Sequence, residues 1–267
     1  MTTKAAIINT IYYGAMASVI VLGSAVALTS CTEPFKQPTP ASNAEVKQEP
    51  KPVAASKGKL VAIDVGHNLK AFGATSTTGK TEFSYNLNIA TMLDRELTAR
   101  GFNTLLIGAD GKEFKLDTRP QAAMQAKADI FVSIHHHSAA EKDIHKIEYR
   151  GQKVEGTTAN YGHSIFVSRK DKANILLGAK IGKGFNDNGL EPTLYHKGKR
   201  ESLNDKRGLY EFGELRVLKA SDIPSALVEC GVIKNPKNEE ELSDIRHQSK
   251  IVDSIADGIQ HYLTGAK

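Results

Sequence analysis

Histidines follow two short apolar runs in this chain of 267 residues. The run 130–134 leads directly into His135, and the run 60–65 is followed by Gly66 and His67. Both runs have the length and composition of a buried strand. Because ligand and catalytic groups of open α/β sheets lie where parallel strands end, we expect the two imidazoles to meet at one edge of a sheet.

Two glutamates complete this set of reactive side chains. Glu82 begins a predicted helix, and Glu229 lies inside the apolar run 226–230. An isolated charged carboxylate in a buried strand costs several kcal/mol, so Glu229 needs either a partner or a role. Two histidines and one carboxylate with an open coordination position are typical of a catalytic zinc site. The residues alone therefore indicate a zinc hydrolase.

Each of these side chains also has a purely structural interpretation. His67 could be a strand-end histidine bound to backbone, and Glu82 could stabilise the positive end of its helix. Glu229 could form a buried ion pair with Arg119 or Arg216, and breaking such a pair is costly.

Three consecutive imidazoles leave the choice of the second ligand histidine open. Successive strand residues face opposite sides of a sheet, so His136 should point away from His135. His137 could share the side of His135, and we expect it to contact substrate. We favour His135 as the ligand. The other histidines, which we expect to be surface or core residues, are His145, His163, His196, His247 and His261, with His163 at the head of a strand the one to watch.

The remaining pattern predicts a single α/β domain with a mostly parallel, twisted central sheet and helices on both faces. The predicted strands are 60–65, 103–107, 130–135, 164–168, 217–218 and 225–230. The predicted helices are 82–100, 117–128, 174–188 and 245–263. The polar segments 138–162 and 189–206 show no apolar period, and we expect irregular loops there.

The N-terminal residues do not belong to this domain. Residues 1–30 are predicted to be a lipoprotein signal peptide, with Cys31 as the lipidated residue after cleavage. Residues 31–58 hold five of the nine prolines and predict a disordered tether, which leaves 59–267 as the catalytic domain. The residue after Cys31 is Thr32 and not Asp. By resemblance to bacterial lipoproteins, this favours the outer membrane over the inner membrane.

The net charge and the cysteine count argue against a nucleic-acid partner and against a disulfide bond. The net charge of +5 is not concentrated in a basic stripe with interleaved aromatic residues, so we expect no nucleic-acid partner. With Cys31 lipidated, Cys230 is the remaining cysteine and no intramolecular disulfide can form. We expect Cys230 to be a small buried residue and not a reactive thiol.

Several separated motifs occur in a recognisable order. They are 61–67, Gly73-Ala74, Thr81-Glu82, Arg119, 128–135 and 224–235. Together they resemble the zinc-dependent N-acetylmuramoyl-L-alanine amidases of the amidase 3 type, over essentially all of 59–267. The chain departs from the family where Asn68-Leu69 replaces a glycine pair, where 108–110 replaces Thr-Arg, and where His136-His137 replaces a small residue and Asn.

The resemblance implies a fold, an activity and site residues. It makes His67, Glu82 and His135 the ligands of Zn²⁺ and Glu229 the catalytic carboxylate. It implies hydrolysis of the amide between N-acetylmuramic acid and L-alanine of the stem peptide. We therefore expect peptidoglycan as substrate and a monomer held through Cys31 at the outer membrane, facing the periplasm.

Two alternative functions remain at this stage. One is another zinc peptidase or deacetylase of the cell envelope, and the order of the motifs around Arg119 and Glu229 argues against it. The other is a non-catalytic peptidoglycan-binding lipoprotein, and the retention of every candidate ligand argues against it.

Relatives of the family can be regulated by an activator protein that displaces an inserted helix from the site. The segment 138–162 has no apolar helical stripe that could cover the site, so we expect an open site.

Overall fold

The computed structural model describes residues 58–113 and 115–265. The predicted signal peptide 1–30, the lipidation residue Cys31 and the tether up to residue 57 lie outside the described residues. Among the described helices, none combines the length and the apolar character that a membrane crossing requires.

Strands and helices alternate along most of the described chain. The strands are β1 (Leu60–Val65), β2 (Asn103–Ile107), β3 (Ile130–His137), β4 (His145–Tyr149), β5 (Gln152–Gly156), β6 (Ser164–Val167), β7 (Ser202–Asn204), β8 (Leu209–Glu211) and β9 (Ser225–Val232). The helices are α1 (Glu82–Ala99), α2 (Thr118–Gln125), α3 (Lys172–Asp187), α4 (Arg216–Lys219), α5 (Pro236–Ser243) and α6 (Ile245–Thr264).

Seven strands form one sheet in the order β2-β1-β3-β9-β6-β8-β7. The first four are parallel, whereas β6 runs antiparallel to β9 and β7 runs antiparallel to β8. The connections β1-α1-β2 and β2-α2-β3 move in opposite directions along the sheet. Because such crossovers are right-handed, α1 and α2 lie on opposite faces. The predicted fold class, a single α/β domain with a mostly parallel sheet, is confirmed.

The two faces of the sheet carry cores of different size. The larger core packs α1, α3 and α6 against residues such as Ile63, Val132 and Val228. The smaller core packs α2 and α4 against the opposite face, around Phe131 and Leu227. Successive side chains along β3 and β9 therefore point alternately into the larger core and into the smaller core.

Helix α1 shows how the sequence sets an element that carries a site residue. The side chain of Thr81 accepts a hydrogen bond from the backbone N–H of Ser84, which caps the first turn. Ile89, Leu93 and Leu97 bury one side of the helix in the larger core. This packing fixes the first helical residue, Glu82, at the carboxyl edge of the sheet.

Two local predictions were wrong, and three short elements were not predicted. The segment 138–162 is not a plain loop, because β4 and β5 pair there as a separate antiparallel hairpin. Its turn uses Arg150 and Gly151, both with positive φ (50° and 77°), as a tight hairpin turn requires. Residues 217–218 belong to helix α4 and not to a strand. Helix α5 and the short edge strands β7 and β8 were not predicted.

Helix α5 fastens the loop that connects β1 to α1. The buried carboxylate of Glu239 accepts hydrogen bonds from the hydroxyls of Thr77 and Thr78, and from the phenol of Tyr85 at 3.0 Å. Burial opposes ionisation of this carboxyl, but these donors outweigh it and lower the pKa of Glu239. The loop is thereby attached to a distant part of the chain just before it reaches Glu82.

Candidate active site

Three predicted ligand side chains come together at the carboxyl edge of the sheet. Glu82 Oε1 lies 3.0 Å from Nε2 of His67 and 3.0 Å from Nδ1 of His135. One ligand atom from each residue lies within 4.8 Å of the others, and no second such group of histidine, cysteine or acidic residues is found within 58–113 and 115–265. Residues separated by up to 68 positions thus form one potential metal centre.

The backbone at His67 adopts an unusual conformation that turns the chain at the end of β1. Its φ is 69°, in the left-handed region that non-glycine residues rarely occupy. The guanidinium of Arg119 donates to the His67 carbonyl at 2.6 Å and also to the carbonyl of Val65. The buried Arg119 therefore holds this turn, and the turn places the imidazole beside Glu82.

Glu82 is the bridge between the two imidazoles. Burial opposes ionisation of its carboxyl, but hydrogen bonds from His135 and His67 outweigh the burial and lower the pKa of Glu82. Its second oxygen, Oε2, accepts from the backbone N–H of Ala74 at 3.1 Å. The carboxylate is thus ionised and held from both sides, which suits a metal ligand.

Two glycines leave room for these ligands. A Cβ on Gly66 would lie 2.4 Å from the ring of His135, and a Cβ on Gly73 would lie 2.4 Å from Glu82 Oε2 and 2.7 Å from His67 Nε2. Any larger residue at either position would push the ligand side chains apart. Glycine is thus required next to the candidate metal centre for steric reasons.

The three consecutive histidines of β3 have different surroundings. His136 is buried on the α1 side, where its Nδ1 hydrogen-bonds Asn86 Oδ1 at 2.8 Å. Asn86 also donates to the Gly66 carbonyl at 3.0 Å. Burial lowers the pKa of His136 to about 3, so this imidazole is neutral. His136 therefore supports the turn before His67 and points away from the ligands, as the strand alternation predicted.

Glu229 lies beside His135 on the neighbouring strand, since the two residues are register partners of β9 and β3. Its Oε2 is buried and has no hydrogen-bond partner among the described residues. Nδ1 of His137 lies 3.9 Å from Glu229 Oε1. Glu229 is thus a carboxylate with one unpartnered oxygen next to the candidate metal centre.

Neither arginine considered as an ion-pair partner contacts Glu229. Arg119 binds Asp64 at 2.6 Å, and Arg216 binds Asp117 at the surface. The alternative interpretation of Glu229 as half of a buried ion pair with either arginine is therefore wrong.

Sequence reasoning missed one histidine close to this site. His196 comes from the polar segment 189–206, yet it is only 4% exposed and its ring lies 4.9 Å from that of His137. No hydrogen-bond partner is found for its buried Nε2 in the described part of the chain. No motif marks this residue, because its neighbours in space are distant in sequence.

His163 and Cys230 lie apart from the site, on the face of the larger core. His163 stacks on Phe185 at 4.0 Å, and both His163 and Cys230 line a cavity of about 360 Å³. Burial lowers the pKa of His163 to about 4 and raises the pKa of the Cys230 thiol. The expectation that Cys230 is buried and inert agrees with this environment.

Comparison with known proteins gives consistent results. A family model described as N-acetylmuramoyl-L-alanine amidase matches residues 61–261. The "Probable cell wall amidase LytH" of Staphylococcus epidermidis is 27% identical over 210 residues, which cover 78% of this chain and 60% of LytH. The chain thus spans about three fifths of the length of that curated relative.

Solved structures show the same fold. The catalytic domain of CwlV, an N-acetylmuramoyl-L-alanine amidase from Bacillus (Paenibacillus) polymyxa var. colistinus, is 28% identical with a TM-score of 0.60, covering 77% of this chain and 98% of CwlV. The CwlD amidase of Clostridioides difficile, solved in complex with the GerS lipoprotein, is 24% identical with a TM-score of 0.60, covering 78% of this chain and all of the other (100%).

Proposed function

Because this chain belongs to the N-acetylmuramoyl-L-alanine amidase family, we propose that it hydrolyses the amide between N-acetylmuramic acid and L-alanine of peptidoglycan. The observation that carries the proposal is the meeting of His67, Glu82 and His135 beside Glu229 at one edge of the sheet. A binding protein would not need a carboxylate with a free buried oxygen next to three ligand side chains.

The donor set fits zinc. Two imidazole nitrogens and one carboxylate oxygen are ligands that zinc prefers in catalytic sites, and the glycines at 66 and 73 leave space around them. When bound, zinc would lower the pKa of a water in the open position to about 7 and polarise the scissile carbonyl. His67, Glu82 and His135 would hold the ion.

The protein itself supplies the proton transfers. Glu229 accepts a proton from the attacking water and delivers it to the departing nitrogen, for which its unpartnered Oε2 is available. An amide nitrogen leaves poorly unless it is protonated, so this second transfer is essential. His137, whose Nδ1 lies 3.9 Å from Glu229 Oε1, would donate a hydrogen bond to the stem peptide.

The location is proposed from the sequence. Lipidation of Cys31 would hold the domain beside the cell wall at the outer membrane.

The segment between β3 and β6 forms a hairpin and one turn of 3₁₀ helix at Glu141–Asp143. We propose that the enzyme needs no activator to uncover its site.

The test is digestion of purified peptidoglycan by the protein alone, with the released fragments identified by mass. We expect free stem peptides that begin with L-alanine, their loss after chelation and their return with added zinc. Glu229→Gln should lower the rate by about 10²- to 10⁴-fold while the bound zinc is unchanged.

Glu240→Gln is the matched control, because Glu240 is a carboxylate on α5 that pairs with Arg150 and Tyr149 outside the site. It should leave the rate unchanged. Cuts inside the peptide would contradict the proposed bond, and peptidoglycan that is bound but never cut would contradict the proposed catalysis.

A further inference from the structure

Two neighbouring strands and the segment 189–206 each contribute one buried polar atom that makes no hydrogen bond. These atoms are Ser164 Oγ, Glu229 Oε2 and His196 Nε2, and each lacks a partner among residues 58–113 and 115–265. Ser164 is fully buried, and His196 is only 4% exposed. A buried polar group without a partner is costly, so three of them in one part of the molecule need a physical reason.

Ser164 and Glu229 lie side by side on neighbouring strands. β6 runs antiparallel to β9, and Ser164 is the register partner of Glu229. Register partners of an antiparallel pair point to the same face, and their Cβ atoms lie about 4.5–5.5 Å apart. Small rotations of the two side chains are therefore enough to bring the hydroxyl to the carboxylate. Because His135 is the partner of Glu229 on its other side, the three residues form one row across the sheet.

The ring of His196 covers this row. It lies 4.9 Å from the ring of His137 and 5.0 Å from that of Phe166. The register partners of these two residues on β9 come after and before Glu229, respectively. The ring of His196 therefore lies near the level of Glu229 and Ser164 and shields the pair from water.

The proposed proton transfers require a carboxylate with a fixed orientation. Glu229 accepts a proton from water and delivers it to the departing nitrogen, so one of its oxygens must face both positions. The last torsion of a glutamate side chain has only a broad energy minimum. A donor that binds one oxygen would direct the other oxygen towards the reacting atoms. The hydroxyl of Ser164 is the group in the row that can act as this donor.

We propose that Ser164 is a positioning residue, whose hydroxyl donates a hydrogen bond to one oxygen of Glu229 while the other oxygen carries the proton. This inference rests on the proposed amidase function. Because Ser164 is fully buried on its strand, it acts through Glu229 and not on the substrate directly. A hydrogen bond to a charged carboxylate is strong where water does not compete for either group.

The experiment is a double-mutant cycle on the full-length protein, with zinc supplied and a soluble disaccharide–tetrapeptide as substrate. Ser164→Ala should lower kcat about 10- to 100-fold and leave KM and zinc affinity unchanged. In the Glu229→Gln background the same substitution should lower kcat no further, because residues that act as a unit are not additive. A substitution that only disturbs the fold would lower kcat in both backgrounds.

Ser225→Ala is the matched control, because Ser225 is also a fully buried serine on this face of β9, and its hydroxyl lacks a partner in the described part of the chain. It lies four residues before Glu229, about 13 Å away, and its substitution should leave kcat unchanged. Urea unfolding should show that neither alanine variant is less stable than the wild type, since each loses a hydroxyl without a partner.

A wild-type kcat in Ser164→Ala would overturn the inference, as would an equal loss in both backgrounds. Failure of the proposed function gives a different result. In that case the wild type releases no stem peptides that begin with L-alanine, or Glu229→Gln cleaves as fast as the wild type.

Discussion

Arg119 organises the buried polar groups behind the candidate metal centre. It is 2% exposed, and its guanidinium donates to Asp64 at 2.6 Å and to the backbone carbonyls of Val65 and His67. The hydroxyl of Ser133 donates to the second oxygen of Asp64 at 2.6 Å. Both oxygens of Asp64 and both terminal nitrogens of Arg119 are therefore hydrogen-bonded, whereas the buried Nε of Arg119 has no partner among the described residues. One function of the charge pair is to hold the His67 turn.

Arg119→Lys should weaken both the fold and the metal centre. An ammonium cannot reproduce the fork that reaches Asp64 and the His67 carbonyl together. We expect a loss of about 3–5 kcal/mol in the free energy of unfolding and a zinc affinity that is lower by about tenfold or more. Urea unfolding and a competition titration with a zinc chelator would measure these two quantities.

Arg216→Lys is the control, since Arg216 makes a similar pair with Asp117 at the exposed surface. It should change either quantity little. If Arg119→Lys lowered stability but left zinc affinity intact, Arg119 would support the fold without positioning His67.

The sequence predicted which residues could act as metal ligands or catalytic groups, but it did not predict all of their hydrogen-bond and ion-pair partners. Arg119 was considered for Glu229 because a carboxylate inside an apolar strand needs a positively charged partner or a catalytic role. Strand register decides the outcome: Asp64 lies opposite Ser133, below the level of Glu229, and so Arg119 meets Asp64. His196 could not be found in the same way, because its contacts depend on the path of an irregular segment.

At the scale of elements, the loop from β1 to α1 determines whether His67 and Glu82 can meet. Gly73 has a φ of 76°, and a Cβ there would overlap both ligand side chains. Gly79 has a similar φ of 89°, but a Cβ there would meet nothing within 4 Å. A substitution at Gly79 would therefore cause backbone strain alone, whereas the same substitution at Gly73 would cause backbone strain and a steric clash with the ligands.

Gly73→Ala should damage the site far more than Gly79→Ala. Both changes carry the cost of a left-handed alanine, about 1–2 kcal/mol of stability. Only Gly73→Ala also displaces Glu82 and His67, and a shift of about 1 Å in a catalytic constellation can lower the rate by about 100-fold. Zinc affinity and peptidoglycan digestion, measured for both variants at matched stability, would show the difference. Equal effects of the two changes would assign the loss to backbone strain alone.

The elements that the sequence predicted are those with long apolar patterns or clear caps. The hairpin β4-β5 was not predicted, because its central residues, Ile147 and Val154, are only half-buried and form no clear apolar pattern. Backbone pairing between the two strands holds the hairpin together. A two-residue apolar pair such as Val217 and Leu218 fits a strand or a helix equally well. Its helical state follows from packing on the smaller core.

At the scale of the whole molecule, burial keeps several histidines uncharged. His136, His163 and His196 are each at most 4% exposed, and burial lowers their pKa values to about 3, 4 and 3. In the unfolded chain an imidazole titrates near 6.5. Below that pH the unfolded state binds more protons than the folded state, so stability falls as the pH falls.

His163 is the position at which this acid sensitivity can be isolated, because it lies on the face opposite Glu229 and stacks on Phe185. Its contribution to stability is complete above about pH 6.5 and is lost as the pH falls towards about 4. His163→Gln removes the titrating group. Between these pH values the free energy of unfolding should therefore vary less steeply with pH, by up to about 1.4 kcal/mol per pH unit.

Urea unfolding at a series of pH values, in the presence of a chelator, would measure that slope without a contribution from metal release. His145→Gln is the control, because His145 is exposed on the hairpin and should leave the slope unchanged. The absolute stability of His163→Gln can move in either direction, since the ring contact with Phe185 is lost as well. The slope is the diagnostic quantity, and an unchanged slope would mean that the His163 imidazole accepts its proton in the folded protein as readily as in the unfolded chain.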